Sequence, residues 1–175
     1  MPRKGYQNSL KFWNGMNDVN FHFVRATIKD DMNIGQLGRG EYHISAGGFV
    51  SNKLSYFMDY AHFNTSQTIF SNDKLNSFFL LPYYQFSTTS NFIEAHYEQH
   101  FNGFLTNRIG FMRKLGWTLV GGGHFLAHDG IGSYGEITAG LEGILKILRI
   151  DAVVGLGKQN QNADTQWGFR IRTLF

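Results

Sequence analysis

The chain has 175 residues, of which 42% are hydrophobic and only 17% are charged, and its formal net charge is +3. Because an ordinary soluble domain carries about 25% charged residues, this chain has few charges with which to cover a water-facing surface. Its Lys and Arg residues form no run longer than two, which argues against a nucleic-acid partner. No cysteine is present, so disulfides and thiolate metal sites are excluded.

The usual helical membrane and export signals are missing from the sequence. It contains no stretch of about 18 consecutive apolar residues, which excludes a transmembrane helix. Residues 1–15 have no apolar core, so we do not expect them to act as a signal peptide. If the protein is exported, we expect this chain to be a mature form or a piece of a longer precursor. The length predicts one domain, residues 1–175.

The dominant pattern is an alternation of apolar and polar residues, which predicts β-strands. With 21 Gly, 2 Pro and 16% aromatic residues, the composition also favours β-structure with tight turns. Pro82 is awkward in the third strand, because proline removes a ladder donor and prefers an edge or a bulge. In chain order the pattern predicts about eight strands, at residues 24–29, 41–50, 77–87, 91–101, 117–128, 136–142, 148–157 and 167–175.

Eight such strands can close into a barrel with the apolar face inward, as in a lipocalin, or outward, as in a bacterial outer-membrane protein. A water-facing surface would carry many Lys and Glu residues at the polar positions. Here those positions carry Gly, Thr, His, Tyr and a few charges of opposite sign, which favours a crowded polar lumen. The sequence therefore predicts an all-β fold, an antiparallel transmembrane β-barrel or the C-terminal part of a larger one.

Charged residues near the C-terminus are predicted to form a network in that lumen. A tight turn before Arg149 would set Glu142 opposite it. The last strand would then bring Arg170 or Arg172 beside Asp151. The signs alternate across neighbouring strands, as expected for enclosed charges that must be paired.

The last predicted strand ends on an aromatic residue. An amphipathic final strand that ends in Phe is typical of outer-membrane barrels, whose insertion machinery recognises it. This favours the membrane barrel over the soluble one and indicates outer-membrane lipid and the insertion machinery as partners. One face of the strand carries Trp167, Phe169, Ile171, Thr173 and Phe175.

Residues 91–101 place four potential metal ligands at alternate positions, namely Glu94, His96, Glu98 and His100. Alternate side chains on a strand lie about 6.5–7 Å apart, so all four could not hold one ion without a partner strand. His96, Glu98 and His100 would suit zinc in principle. The same alternation also predicts a polar face toward the lumen. We interpret the four residues as this lumen ladder and predict neither a metal nor another cofactor.

The two long connections, residues 51–76 and 102–116, are both predicted on the periplasmic side if the C-terminus lies there. This departs from the usual short periplasmic turns of such barrels. The second connection contains F-L-T-N-R-I-G-F-M-R-K-L, which predicts a short amphipathic helix. That helix would lie at a membrane interface or close one end of a soluble barrel.

Six segments carry a resemblance to a known family, namely K-F-W-N-G (11–15), D-Y-A-H-F-N (59–64), L-L-P-Y-Y (80–84), E-A-H-Y-E-Q-H-F-N-G-F-L (94–105), N-R-I-G-F-M-R-K-L (107–115) and I-L-R-I-D (147–151). They resemble the C-terminal part of a large uncharacterised family of Bacteroidota outer-membrane proteins, known as carboxypeptidase-like regulatory domain-containing proteins. The resemblance covers nearly the whole chain. It implies an outer-membrane barrel in a protein several times longer, with a signal peptide and an N-terminal β-sandwich. It implies no peptidase activity and no catalytic residues.

These observations predict a non-enzymatic barrel of a Gram-negative cell envelope, located in the outer membrane. It would act as an anchor, a narrow pore or an assembly partner of other envelope proteins. Two alternatives remain open. One is an outer-membrane enzyme acting on lipid or peptide, with a hydrolase set drawn from His128, Ser133, Tyr134 and Glu136. The other is a soluble, lipocalin-like ligand carrier with an apolar cavity.

Overall fold

In the computed structural model, the described residues are 7–14, 20–53, 56–71, 75–104, 106–129, 132–159 and 162–173. These residues include three short 3₁₀ helices, Gly35–Leu37, Phe57–Asp59 and Thr106–Arg108, and the single helix α1 (Gly110–Leu115). Within the same ranges, no helix is long and apolar enough to cross a membrane. The strands are β1 (Gln7–Asn14), β2 (Asn20–Asn33), β3 (Arg39–Lys53), β4 (Phe70–Ser71), β5 (Phe92–His100), β6 (Thr118–His128), β7 (Gly132–Ile144), β8 (Leu148–Gln159) and β9 (Asn162–Thr173).

All nine described strands belong to one sheet, in the order β1-β2-β3-β5-β6-β7-β8-β9-β4. Neighbours are antiparallel except for β4, which runs parallel to β9 over two residues. The predicted all-β, antiparallel class is therefore confirmed. Among the described residues β1 and β9 do not pair, so the sheet is open. Closure of these strands into an eight-stranded barrel, as predicted, is wrong.

Residues 77–87 do not form the predicted strand. They lie in the connection between β3 and β5 and are folded back by turns, one of them at residues 83–86. Pro82 fits this course, because it has no N–H group to give to a sheet ladder. Isolated bridges join Ala61 to Thr88 and Thr65 to Phe78. We call residues 77–88 the plug segment.

This correction also moves the long connections. The last residue of β5, His100, is opposite Arg39 at the start of β3 and Val120 near the start of β6. The β3–β5 connection therefore leaves from one end of the sheet, which we call the plug end. The β5–β6 connection, with α1, leaves from the other, which we call the α1 end. The prediction that both connections share one end is wrong, because it counted residues 77–87 as a strand.

The two faces of the sheet differ sharply in polarity and exposure. On β8, Ile150 and Val154 are 41% and 45% exposed, whereas Arg149 and Asp151 are 2% and 0% exposed. Because successive strand residues point to opposite faces, one face of the sheet is apolar and open, and the other is charged and enclosed. Other exposed apolar residues of these strands are Ile93, Phe125, Ile137, Leu156, Trp167 and Phe169.

An ion pair shows that the sheet is strongly curved around its charged face. Arg172 on β9 donates to Glu98 on β5 across 2.8 Å, from Nη2 to Oε2. These strands are separated by four strand spacings in the sheet. In a flat sheet that separation would be about 19 Å, farther than the two side chains can reach together. The charged face is therefore the concave one and the apolar face is convex.

The plug segment fills the concave side and supplies much of the core. Its Phe78, Leu81 and Phe86 are 0%, 2% and 3% exposed and pack against Leu126 of β6 and Tyr134 of β7. A second buried cluster contains Phe23, Ala61 and Phe92. The core thus lies between one curved sheet and an irregular segment, rather than between two sheets.

Candidate functional site

The most extensive polar feature of the concave face is a four-membered ion-pair network near the α1 end. Arg149 donates to both carboxylate oxygens of Glu98, at 2.6 and 2.8 Å, and through Nε to Asp151 at 2.7 Å. Arg172 joins the same two acids, at 3.0 Å to Asp151 and 2.8 Å to Glu98. Two carboxylates and two guanidinium groups thus form a closed, neutral ring in which every side chain is less than 10% exposed.

The ring satisfies the strict conditions for burying charge. Removing an isolated ion from water costs several kcal/mol, and pairing offsets this only when the geometry is good and the remaining donors are satisfied. The fork of Arg149 on Glu98 is bidentate, the strongest arrangement for such a pair. Gly140 makes room for the ring, because a Cβ atom at this position would overlap the Asp151 carboxylate. The ring is therefore built into the strand packing.

One expected pair of the lumen charge network is present, because Arg172 contacts Asp151, but the other charges pair differently from the expectation. Glu142 does lie opposite Arg149 in the β7–β8 register, but its carboxylate contacts His100 Nδ1 at 3.0 Å. Arg170 lies opposite Asp151 in the β8–β9 register, and its guanidinium carbon is 3.9 Å from the centroid of the Phe79 ring. The strand pattern determines the register. It does not determine the ion pairs, because each long Arg side chain can reach more than one acid.

The four ladder residues face the concave side but serve different partners. Glu94 forms an ion pair with Arg25 of β2, and Glu98 belongs to the ring. His100 bridges Glu98 at 3.1 Å and Glu142 at 3.0 Å. Within the described ranges, no group of three or more His, Asp or Glu residues could hold a metal ion.

His96, the remaining ladder residue, is paired with a second histidine below the plug segment. Its Nδ1 atom lies 2.8 Å from Nδ1 of His124 on β6, so one ring donates and the other accepts. The rings of Phe78 and Phe79 cover the pair, at centroid distances of 4.7 Å from His96 and 4.8 Å from His124. The pair connects β5 to β6 and supports the two plug residues.

A buried carboxylate holds the plug segment in place. Glu136 on β7 is 1% exposed and accepts hydrogen bonds from three consecutive backbone amides, those of Phe79, Leu80 and Leu81, at 2.8, 2.7 and 3.2 Å. The Tyr134 hydroxyl donates a fourth, at 2.8 Å. Sequence reasoning missed this anchor, because its partners are backbone groups 55 to 57 residues away along the chain. A carboxylate at a buried strand position was the only available signal.

The hydrolase set considered from the sequence is not assembled. Ser133 and Tyr134 are neighbours on β7 and point to opposite faces of the sheet. Glu136, on the same face as Tyr134, is occupied by the plug amides. This separates Ser133 from the acid that it would need.

A cavity of about 310 Å³ opens at the plug end, between β2, β3 and residues 58–62. Its walls include Phe23, Phe49 and Tyr60, together with Arg25, whose guanidinium group also contacts Glu94. A lipocalin-like carrier would instead need an apolar cavity inside the sheet. Here the concave side holds the charged ring and is filled largely by the plug segment.

The predicted C-terminal insertion strand corresponds to β9. Trp167 and Phe169 are 74% and 63% exposed on the convex face, and Ile171 and Thr173 are partly buried. The backbone N–H of Ile171 donates to the carbonyl of Ile69, where β4 meets β9. Phe175 lies outside the described residues.

Comparison with known proteins gives one family. Residues 3–141 match the family described as "Family of unknown function (DUF5686) C-terminal domain". No curated protein and no solved structure gives a significant match. The match covers most of the chain, including β1 to β6 and the greater part of β7.

Replacing Glu136 by Gln tests the anchor of the plug segment. The amide removes the negative charge and turns an N–H group toward backbone donors, so several charge-assisted hydrogen bonds are lost together. We expect the free energy of unfolding, measured with urea in detergent micelles, to fall by about 3 kcal/mol. The plug segment should also be cleaved faster by added protease.

Glu41→Gln is the matched control, because Glu41 pairs with Arg39 at 2.7 Å but its side chain is 32% exposed. An exposed pair contributes about 0–1 kcal/mol, so this variant should unfold almost like the wild type. Equal effects of the two substitutions would contradict the anchoring role of Glu136.

A double-mutant cycle on Glu98→Gln and Arg149→Met tests the ring. Each single substitution leaves the buried ring with one unbalanced charge, and we expect each to lower the free energy of unfolding by about 3–5 kcal/mol. The double variant should be less destabilised than the sum by about 2 kcal/mol. The same cycle on Asp31→Asn and Arg39→Met, an exposed pair 3.2 Å apart, should give a coupling below about 1 kcal/mol. Additive effects at Glu98 and Arg149 would rule out a coupled ring.

Proposed function

The chain belongs to the DUF5686 C-terminal domain family, and we propose that it forms part of the wall of a β-barrel in the outer membrane of a Gram-negative bacterium. The observation that carries this proposal is the reversed polarity of the sheet. The convex face is apolar and exposed, and the concave face is charged and enclosed. The family description assigns no activity, so the proposal rests on the physical chemistry of the two faces.

The exposed apolar residues are contiguous. Ile137, Val154 and Trp167 stand side by side on β7, β8 and β9 and are 66%, 45% and 74% exposed. Soluble monomers rarely expose apolar patches larger than a few hundred Å². A row of apolar side chains can face lipid tails without a desolvation cost. The charged residues lie on the opposite, concave face and would not contact the lipid.

The lengths of the strands also support a location in a lipid bilayer. The strands from β5 to β9 have 9, 11, 13, 12 and 12 residues. A tilted strand needs about 9–11 residues to cross the hydrocarbon layer. Each of these strands is therefore long enough to span it.

The open sheet edges indicate a larger barrel. Unpaired backbone N–H and C=O groups are costly in lipid, so a spanning sheet must have its edges paired. In the described residues β1 is one edge of the sheet, and β4 covers only two residues of β9. Further strands of the same wall would complete the pairing. The family description "C-terminal domain" and the resemblance to long Bacteroidota outer-membrane proteins favour this arrangement.

Within the envelope, the proposed role is that of a non-enzymatic anchor or assembly partner for other envelope proteins. The plug segment and the charged ring occupy the concave side, which disfavours an open pore along this part of the wall. Outer-membrane lipid and the barrel-insertion machinery are the partners that such a wall requires. No cofactor is part of the proposal.

A gel comparison of unboiled and boiled protein tests the proposal. After detergent extraction, the folded protein should resist SDS and migrate as a distinct band until it is heated. Ile137→Arg should remove the unboiled folded band, because Arg on the lipid face costs about 2–4 kcal/mol at mid-membrane. Ile137→Leu, the matched control, should keep it. Recovery of the wild type in the aqueous fraction, with no heat-dependent shift, would overturn the proposal.

A further inference from the structure

The α1 end of the sheet carries a surface that combines exposed apolar side chains with basic ones. Three exposed apolar residues come from the β5–β6 connection and two from the β7–β8 turn. Their exposures are 44% for Ile109, 57% for Phe111, 52% for Leu115, 77% for Leu145 and 49% for Ile147. The exposed basic residues among them are Arg108, Arg113, Lys114 and Lys146. We call these nine residues the basic rim.

The two parts of the rim are adjacent in space. Thr118, which follows the β5–β6 connection, lies opposite Glu142, which precedes the β7–β8 turn. A Cβ atom built on Gly143 would lie 2.9 Å from the carbonyl oxygen of Gly116. The rim is therefore one continuous surface.

The helix within the rim is amphipathic despite its short length. Phe111 and Leu115 are four residues apart and share one side of α1. Arg113 and Lys114 occupy the last turn of α1, where positive charge is favourable at a helix C-terminus. The Phe111 ring also lies 6.1 Å from that of Trp117, so this tryptophan reports on the helix.

The basic side chains of the rim are free to meet an external anion. None of the four forms an ion pair with a carboxylate in the described part of the chain. Arg108 does contact the Phe104 ring, with its guanidinium carbon 5.4 Å from the centroid. Arg149 and Arg172 of the buried ring, by contrast, are paired with acids. The rim thus offers positive charge without internal neutralisation.

We infer that the basic rim binds the phosphate headgroups of anionic phospholipids at the membrane surface. The inference rests on the proposed function, since it places the α1 end at the level of the headgroups. Apolar side chains at this level enter the boundary of the acyl chains, while Lys and Arg reach outward to phosphates.

Lipid-specific fluorescence quenching tests the inference. Trp13→Phe and Trp167→Phe leave Trp117 as the reporter. The protein is reconstituted in vesicles of equal phosphatidylglycerol and phosphatidylcholine, with bromine on one lipid or the other. Because basic residues near the membrane surface attract anionic lipid, brominated phosphatidylglycerol should quench Trp117 about two-fold or more above brominated phosphatidylcholine. Salt at about 1 M, with a Debye length near 3 Å, should remove the difference.

Matched variants assign the selectivity to the rim. Arg113→Gln with Lys114→Gln should lower the quenching ratio to about one, whereas Lys29→Gln with Lys158→Gln should leave it unchanged. The second pair removes the same charge at exposed positions outside the rim. A wild-type ratio of one, or a ratio that survives loss of Arg113 and Lys114, would overturn the inference.

A second reporter separates failure of the inference from failure of the proposed function. Trp13→Phe and Trp117→Phe leave only Trp167, which lies on the convex face. If either lipid quenches Trp167 while neither quenches Trp117, the protein is in the membrane but the rim faces water or another protein. If neither lipid quenches Trp167, the membrane proposal fails and the rim inference fails with it.

Discussion

The hydrogen bonds between Glu136 and the plug segment are the interaction on which the rest of the structure depends. Three consecutive backbone amides of an irregular segment have no sheet or helix partner, and the carboxylate supplies one. Fixed in this way, Phe78 reaches the core with Leu126 and Tyr134, and Phe79 lies under Arg170. The same carboxylate would be an isolated charge without these donors, so the plug and the anchor stabilise each other.

Enclosure explains both faces of the sheet. Curvature brings β5 and β9 close enough for Glu98 and Arg172 to pair, and the plug segment excludes water from the space between them. Charges in such a space are tolerated only as neutral, hydrogen-bonded sets, which is what the four-membered ring provides. With the polar groups used internally, the convex face is left with apolar side chains. The proposed contact with lipid would suit that face, and the basic rim would mark where the contact ends.

Sequence alternation predicted most strands and much of their register, because successive residues must point to opposite faces. It placed Glu142 opposite Arg149 in the correct register, since only a tight turn separates them. It predicted Arg170 or Arg172 beside Asp151, where Arg172 lies. It did not predict that Glu98 would pair with Arg149 and Arg172, because that pairing depends on the curvature of the sheet. It mistook residues 77–87 for a strand, since a buried irregular segment is as apolar as a strand. Pro82 was the one local sign against it. The Glu136 anchor and the open edges depend on contacts distant in sequence.

The most direct test of the central claim is the accessibility of β8 in lipid vesicles. The chain has no cysteine, so single substitutions Ala152→Cys, Val154→Cys and Lys158→Cys each give one reactive site. If the convex face meets lipid, a charged maleimide should label only position 158 in vesicles, and all three positions after denaturation. Labelling of positions 152 and 154 in vesicles at the rate of position 158 would show that the convex face is in water, and would contradict the account.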